Sequence, residues 1–383
     1  KLKRIYFLAR DGQILLKLAS LAAPVVGFTG ELRYLYASRQ SLRLPTTNMA
    51  DPESLHWSLD DTTFLSISSF LERLDLTVTG LEDVLMHHGL DPAVARENLD
   101  KAMRQKLPGL IQDARFRQRV SLAAEDRKRY LSEYLQQEGV VGPDNFGIVD
   151  VGWNGTLQVA LERLIKEKKA TVPVGFYFGL SRRASEAGLE KREAFFFDEG
   201  RQTGFLKREY WVEPMLEVFC AADHGSTQRF ELSNGRVIPV LKSAHNDAVM
   251  AWGLSSQQKA ILGFAAFALE SCPSGFDPKS LRPAIHELLG SFWNSPSAAE
   301  AEAWGTYPYA DDQTEACTHK LGEAFGFVDC LRSIYRGQLT APHRAGWIAG
   351  GLRRSARPVQ WALPPAVKTA SWFRRLCLPK LNP

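Results

Sequence analysis

The chain has 383 residues, of which 45% are hydrophobic, 10% aromatic and 23% charged, close to the averages of globular proteins. Disorder, collagen-like repeats and a disulfide-stapled miniprotein are thereby excluded, and the length predicts two domains or one elaborated domain. The net charge is +4, but it is unevenly spread. Residues Cys330–Pro383 hold ten Arg or Lys and no Asp or Glu, which leaves the first 329 residues at a formal −6.

The chain opens at Lys1 without Met and enters a strand-like run within four residues, so a preceding segment is expected. Arg4–Ala9 is a short apolar run predicting a strand, and Gln13–Ala22 carries apolar residues at helical spacing. Arg10-Asp11-Gly12 lies at their junction. The unit repeats with Leu32–Ala37 as a strand and Ser38-Arg39 at its carboxyl end. From Asp60 to Gln137 the pattern is mostly helical, punctuated at Gly80, His88-Gly89 and Pro108-Gly109, which predicts an insertion or helical lid. A third strand is expected at Phe146–Asp150, then a turn over Val151–Gly155 and a helix from Thr156 to about Lys168. A fourth strand covers Val172–Leu180.

Near-continuous apolar runs alternating with amphipathic helices predict an α/β fold, a parallel Rossmann-like sheet with a helical insertion and a mainly helical C-terminal part. The expected domains are residues 1–228, with the insertion at about 50–140, then a mainly helical domain at 229–329, and a basic, aromatic tail at 330–383. A hairpin is expected around Ser233-Asn234-Gly235, with helices near Gln257–Leu269 and Lys279–Trp293.

Ligands of open α/β sheets bind beyond the carboxyl ends of the strands, and three polar clusters are expected there. They are Arg10-Asp11-Gly12, Ser38-Arg39, and Asp150 with Gly152-Trp153-Asn154-Gly155-Thr156. The third joins a glycine-bracketed turn to a helix N-terminus, where backbone N–H groups favour a phosphate or diphosphate. Each also has a purely structural reading, as turns, N-caps or an ion pair of Arg39 with Asp11 or Asp150. Glu213–Glu217 followed by Asp223-His224-Gly225-Ser226-Thr227 offers Glu217 and His224 as acid–base candidates. The alternative there is a helix ending at Gly225 with His224 at its carboxyl end. No DxD, Walker loop, GxGxxG, HExxH or GxSxG occurs, so no metal or cofactor is expected. The Asp150 turn partly matches the diphosphate loop of phosphoribosyltransferases, lacking its adjacent acids.

The five cysteines, Cys220, Cys272, Cys317, Cys330 and Cys377, are odd in number and form no CxxC, so a disulfide framework is disfavoured and a reducing compartment expected. The longest apolar stretches, around Leu18–Phe28 and Ala260–Leu269, fall short of the ~18–20 residues that cross a bilayer. The basic 330–383 stretch is interleaved with Trp347, Trp361, Trp372 and Phe373, a combination suited to an anionic membrane surface. A basic subdomain packed on an acidic body is the alternative, and no nucleic-acid module motif occurs.

Together Tyr6–Gly12, Tyr34–Arg39 and Ile148–Gln158 resemble the region that follows the phosphatase-like domain in predicted haloacid-dehalogenase-like proteins of bacterial O-antigen and capsule gene clusters. The likeness covers roughly residues 1–230. It implies a setting, the cytoplasmic-face assembly of surface polysaccharide, but not hydrolase activity, which belongs to the upstream domain. The expectation is a metal-independent glycosyltransferase using a nucleotide sugar or sugar phosphate, with a lipid-linked acceptor. Arg10, Gly12, Ser38, Arg39, Gly152, Asn154, Gly155 and Thr156 would bind phosphate, Trp153 would stack on a base or sugar, and Asp11, Asp150, Glu217 or His224 would handle the proton. The rivals are a non-catalytic binding or scaffold module and a phosphoribosyltransferase-like enzyme. The expected location is cytoplasmic, peripheral on the inner face of the plasma membrane, with no nucleic-acid partner.

Overall fold

The structure, a computed structural model, describes residues 2–59, 64–167, 170–189, 191–204, 212–272, 276–310, 318–343 and 346–377, apart from the side chains of 52, 167, 203, 204, 212 and 373–377. The chain divides into two units. The first comprises residues 1–209, 219–277 and 312–316, the second residues 210–218, 278–311 and 317–383.

The first unit is built on β1 (Arg4–Leu8), α1 (Gly12–Val25), β2 (Glu31–Leu35), the short α2 (Arg39–Arg43), α3 (Ala114–Gln137), β3 (Phe146–Trp153), α4 (Thr156–Glu167), β4 (Val174–Leu180), β5 (Arg192–Asp198) and β6 (Thr203–Gly204). The sheet order is β2-β1-β3-β4-β5-β6. The first five strands are parallel and β6 is antiparallel to β5. Alternation of side chains sets the two faces. Tyr6, Leu8 and Ile148 enter one core with Leu131 and Leu135 of α3 and Leu161 and Ile165 of α4. Phe7 points the other way, where a Cβ on Gly12 would stand 2.6 Å from the Phe7 carbonyl carbon, so α1 sits tightly against the opposite face. The α/β class expected from the sequence is what the chain adopts.

Between β2 and β3 the helical insertion holds its own core, with Phe70 stacked on Phe116 at 6.1 Å. A hairpin, β7 (Thr227–Ser233) and β8 (Arg236–Leu241), turns at Asn234-Gly235 and seats Phe230 on Tyr134 of α3 at 4.3 Å. Helix α5 (Leu254–Glu270) belongs to the same unit, where Lys17 of α1 donates to Gln258 at 2.7 Å. The boundary expected at 228/229 therefore falls inside this unit, because the hairpin packs on α3.

The second unit contains α6 (Phe327–Arg336) and α7 (Arg357–Cys377). Leu363 and Val367 of α7 form a core with Phe325, against which Cys330 and Ile334 of α6 pack. Trp347, expected on a surface tail, is instead buried. Its indole N–H donates to the Trp293 carbonyl at 2.6 Å and its ring stacks on Trp293 at 5.3 Å. Arg354 pairs with Glu302 at 3.1 Å and donates to the Gly305 and Gly322 carbonyls. The described residues between 330 and 377 thus fold with those of 278–310 rather than forming a separate tail. Cys317, Arg344 and Lys380, and the side chains of Phe373, Arg374, Arg375 and Cys377, lie outside the described residues.

Helix α3 starts at an N-cap, Asp113, whose carboxylate accepts from the Arg115 and Phe116 N–H groups at 2.8 and 3.2 Å and lies 3.2 Å from His88 Nε2. Burial works against ionisation, but the Phe116, His88 and Arg115 hydrogen bonds outweigh it and hold the carboxyl at about 2. A depressed folded-state pKa stabilises fully above the unfolded value near 3.8 and ceases to as the pH falls through about 2. Asp113→Ala is expected to cost about 1 kcal/mol at pH 7, with the gap to the parent narrowing below pH ~4 in urea titrations.

Candidate functional site

In the observed strand order, β1 lies between β2 and β3. The helix after β1 covers one face and the helix after β3 covers the other, so the two loops part at the carboxyl ends of these adjacent strands. That divergence is the switch point at which doubly wound sheets bind ligands. The Arg10-Asp11-Gly12 and Asn154-Gly155-Thr156 segments flank it, and Ser38-Arg39 follows the next strand out.

Each segment has its local cause. Asp11 precedes α1 with helical backbone angles and makes no capping hydrogen bond through its side chain, so the N-cap reading fails. Arg10 and Asp11 are half-buried. On the β3 side the strand runs three residues further than the sequence suggests, with Gly152 opposite Gly179 and Trp153 opposite Leu180. Gly152 has φ +145°, and a Cβ there would meet the Gly179 carbonyl oxygen at 2.4 Å, so only glycine lets the strands pair this closely. The turn shrinks to Asn154-Gly155, with Gly155 at φ +62°. Asn154 is tied down by the Ser181 hydroxyl, which donates to its Oδ1 at 2.6 Å. The first α4 hydrogen bond runs from the Val159 N–H to the Gly155 carbonyl, and no acidic residue occupies the first turn. The N–H groups of Thr156, Leu157 and Gln158 precede that bond, an arrangement that favours an anion.

Arg39 is exposed at the carboxyl end of β2 and has no hydrogen-bond or ion-pair partner among the described residues, so the ion pair with Asp11 or Asp150 is not formed. Ser38 is occupied. Its hydroxyl caps α2 by accepting from the Ser41 N–H at 2.9 Å and donates to the Thr227 carbonyl.

Four expected roles change. Trp153 is buried at 4% exposure and stacks on Phe197 at 6.2 Å, so it cannot stack on a base or sugar. Asp150 is buried inside β3, three residues short of the strand end and opposite Tyr177, rather than in the loop. His224 is not at a helix end, since the preceding helix, Val212–Phe219, stops five residues earlier. Instead the Gly225 N–H donates to the Ser243 carbonyl at 3.0 Å. Glu217 belongs to the second unit, where the Tyr309 hydroxyl donates to its Oε2 at 2.8 Å. Glu217 and His224 thus fall in different units.

His224 is 5% exposed, and both of its ring nitrogens are used. Nδ1 lies 2.8 Å from the Gly225 carbonyl, which can only accept, so in the neutral ring Nδ1 carries the hydrogen and Nε2 accepts from the Tyr34 hydroxyl at 2.8 Å. Burial first, then the neighbouring Tyr36, Asp11 and Asp223, push the Tyr34 hydroxyl far above its ordinary value of 10, so it stays a donor. Beside it, Gln13 donates to Asp223 Oδ1 at 2.6 Å and accepts from the Asp223 N–H at 3.3 Å. Local patterning does not single out Gln13, Tyr34 or Asp223, because their partners lie about two hundred residues away. Gln158 was likewise missed. It accepts from the Tyr177 hydroxyl at 2.6 Å and donates to Glu162 and to the Pro173 and Lys191 carbonyls, fixing α4 against β4. Among the described residues no group of three His, Cys, Asp or Glu is placed to hold a metal ion.

Tyr34→Phe would leave a buried imidazole nitrogen without its donor, at a cost of about 1–3 kcal/mol. The expected outcome is a lower urea midpoint together with a displaced His224 imidazole ¹⁵N signal. An unmoved signal would contradict the Tyr34–His224 bond.

No protein-family model matches the chain, and no curated protein is significantly similar to it.

Proposed function

We propose that the first unit binds a nucleotide-activated sugar at the β1/β3 switch point and acts as a metal-independent glycosyltransferase in bacterial cell-surface polysaccharide assembly. The carrying observation is that the Arg10-Asp11-Gly12 loop and the α4 N-terminus follow the carboxyl ends of the adjacent parallel strands β1 and β3, with the exposed Arg39, which has no ion-pair partner among the described residues, at the end of the adjoining β2. In this reading the N–H groups of Thr156, Leu157 and Gln158 receive the diphosphate and Arg39 neutralises its charge. Asp11 replaces Asp150, Glu217 and His224 as the acid–base group, because it alone of the four is a half-buried carboxylate in a loop of this crevice. The acceptor oxygen bonds the anomeric carbon as the bond from that carbon to the diphosphate oxygen breaks, and the acceptor proton passes to Asp11. The setting is cytoplasmic, with the chain peripheral on the inner membrane face. Among the described residues no helix is long and apolar enough to span a membrane.

A second reading, a binding module without turnover, is favoured by the same observations that remove Asp150 and His224 from the crevice. Thermal stabilisation by nucleotide sugars, nucleoside diphosphates and phosphoribosyl diphosphate, with and without magnesium, separates the readings. Nucleotide sugars are expected to raise Tm without magnesium, and Arg39→Ala to weaken Kd by about tenfold or more. Asp11→Asn is expected to keep binding and lower kcat by about 10²-fold or more. Binding without turnover of the parent selects the module. Stabilisation by phosphoribosyl diphosphate with magnesium alone selects a phosphoribosyltransferase.

A further inference from the structure

The two packed helices of the second unit each present apolar side chains to solvent that its core does not use. On α6 the core side is marked by Cys330, Ser333 and Ile334. At about 100° per residue, Phe327, Leu331, Tyr335 and Val328 fall together within an arc of about 100° beside that side. All four are exposed, Phe327 at 79% and Tyr335 at 77%. On α7 the core side holds Val359, Leu363 and Val367. Arg357, Trp361, Lys368 and Trp372 stand at spacings of four, seven and four residues, which places them along one narrow line. These four are exposed as well, Trp361 at 81%.

Charge limits what can cover such a surface. From Cys330 to Pro383 there is no carboxylate side chain and there are ten cations. Some of those cations serve the fold, as Arg354 does with Glu302 and Arg332 with Asp329 at 3.3 Å. Lys368 has no ion-pair or hydrogen-bond partner among the described residues. The spacing of the rings also discriminates between occupants. Trp361 and Trp372 are eleven residues apart, about 16 Å along the helix, with a lysine between them. A protein interface buries a contiguous, close-packed centre. Separated indoles alternating with cations suit a fluid layer in which each ring settles at the headgroup boundary beside anionic phosphate. Nucleic-acid phosphate would engage the cations but leaves Phe327, Val328 and Leu331 without a function.

We infer that the exposed faces of α6 and α7 form a docking surface for an anionic phospholipid bilayer. Phe327, Leu331 and the two tryptophans enter the interface while Arg357 and Lys368 meet the headgroups. The inference takes from the proposed function only the peripheral placement, and it involves neither the sugar donor nor the β1/β3 crevice.

The test is co-sedimentation of the full chain with vesicles of mixed phosphatidylglycerol and phosphatidylcholine, and with pure phosphatidylcholine, in the absence of any nucleotide. Binding to the anionic vesicles only is expected, with a blue shift of tryptophan emission, and it should weaken as salt rises toward 0.5 M, about where screening shortens below 5 Å. Trp361→Ser with Trp372→Ser is expected to lower partitioning at least tenfold, as is Phe327→Ser with Leu331→Ser. Because all four side chains are exposed, the Tm of either double variant should match the parent. Absence of binding to anionic vesicles overturns the inference, as does binding that both double variants retain. Self-association abolished by the substitutions, or oligonucleotide binding, without vesicle binding overturns it in favour of a second copy or of nucleic acid. Nucleotide stabilisation is measured separately, so loss of vesicle binding leaves the donor site standing, and loss of donor binding leaves the membrane surface standing.

Discussion

The seam between β1 and β3 is the constraint on which the first unit depends. Two parallel strands lie side by side, and the chain must leave them toward opposite faces, so their loops cannot close over each other. Glycines make the close contacts on either side of this seam. Gly12 lets α1 begin against Phe7, and Gly152 lets β3 pair to its end against Gly179. With β3 paired as far as Trp153, the turn at Asn154-Gly155 is short, and the N–H groups of Thr156, Leu157 and Gln158 precede the first hydrogen bond of α4. The helices behind the seam hold it in place through separate devices: Gln158 bonds α4 to β4, and Gln13 bonds α1 to Asp223.

The charges around the crevice have distinct environments, and this sorts their roles. Arg39 is exposed at a strand end, Asp11 is half-buried in a loop, and Asp150 is enclosed by the sheet and its helix. His224, a natural candidate for a base in any linear reading, is held as a cross-link by Tyr34 on one side and a carbonyl on the other. A similar division holds on the second unit. Trp347 is the centre of its aromatic packing, whereas Trp361 and Trp372 take no part in that core.

How much of this was legible follows from the range of each interaction. The apolar runs at Arg4–Ala9, Leu32–Ala37 and Phe146–Asp150 report local burial, so the strands, the parallel class and the strand-end positions of Arg10-Asp11-Gly12 and Ser38-Arg39 were readable. The carboxyl end of β3 was not, because Gly152 at φ +145° reads locally as a turn and continues the strand only through its pairing with β4. Trp153 read as a loop residue for the same reason. The pairs Tyr34–His224 and Gln13–Asp223 join positions 190 and 210 residues apart, and no periodicity carries that information. Charge counting found the cationic C-terminal region. It could not tell a folded unit with an exposed face from a tail, since Arg354 and Trp347 look alike in sequence whether they pack or not.

The central claim is that a diphosphate sits between the loops of β1 and β3. Amide hydrogen exchange of the full chain with and without a saturating nucleoside diphosphate tests it by location. Slower exchange confined to peptides spanning residues 9–13 and 154–159 is the predicted result. Protection elsewhere, or none at saturation, would contradict the account.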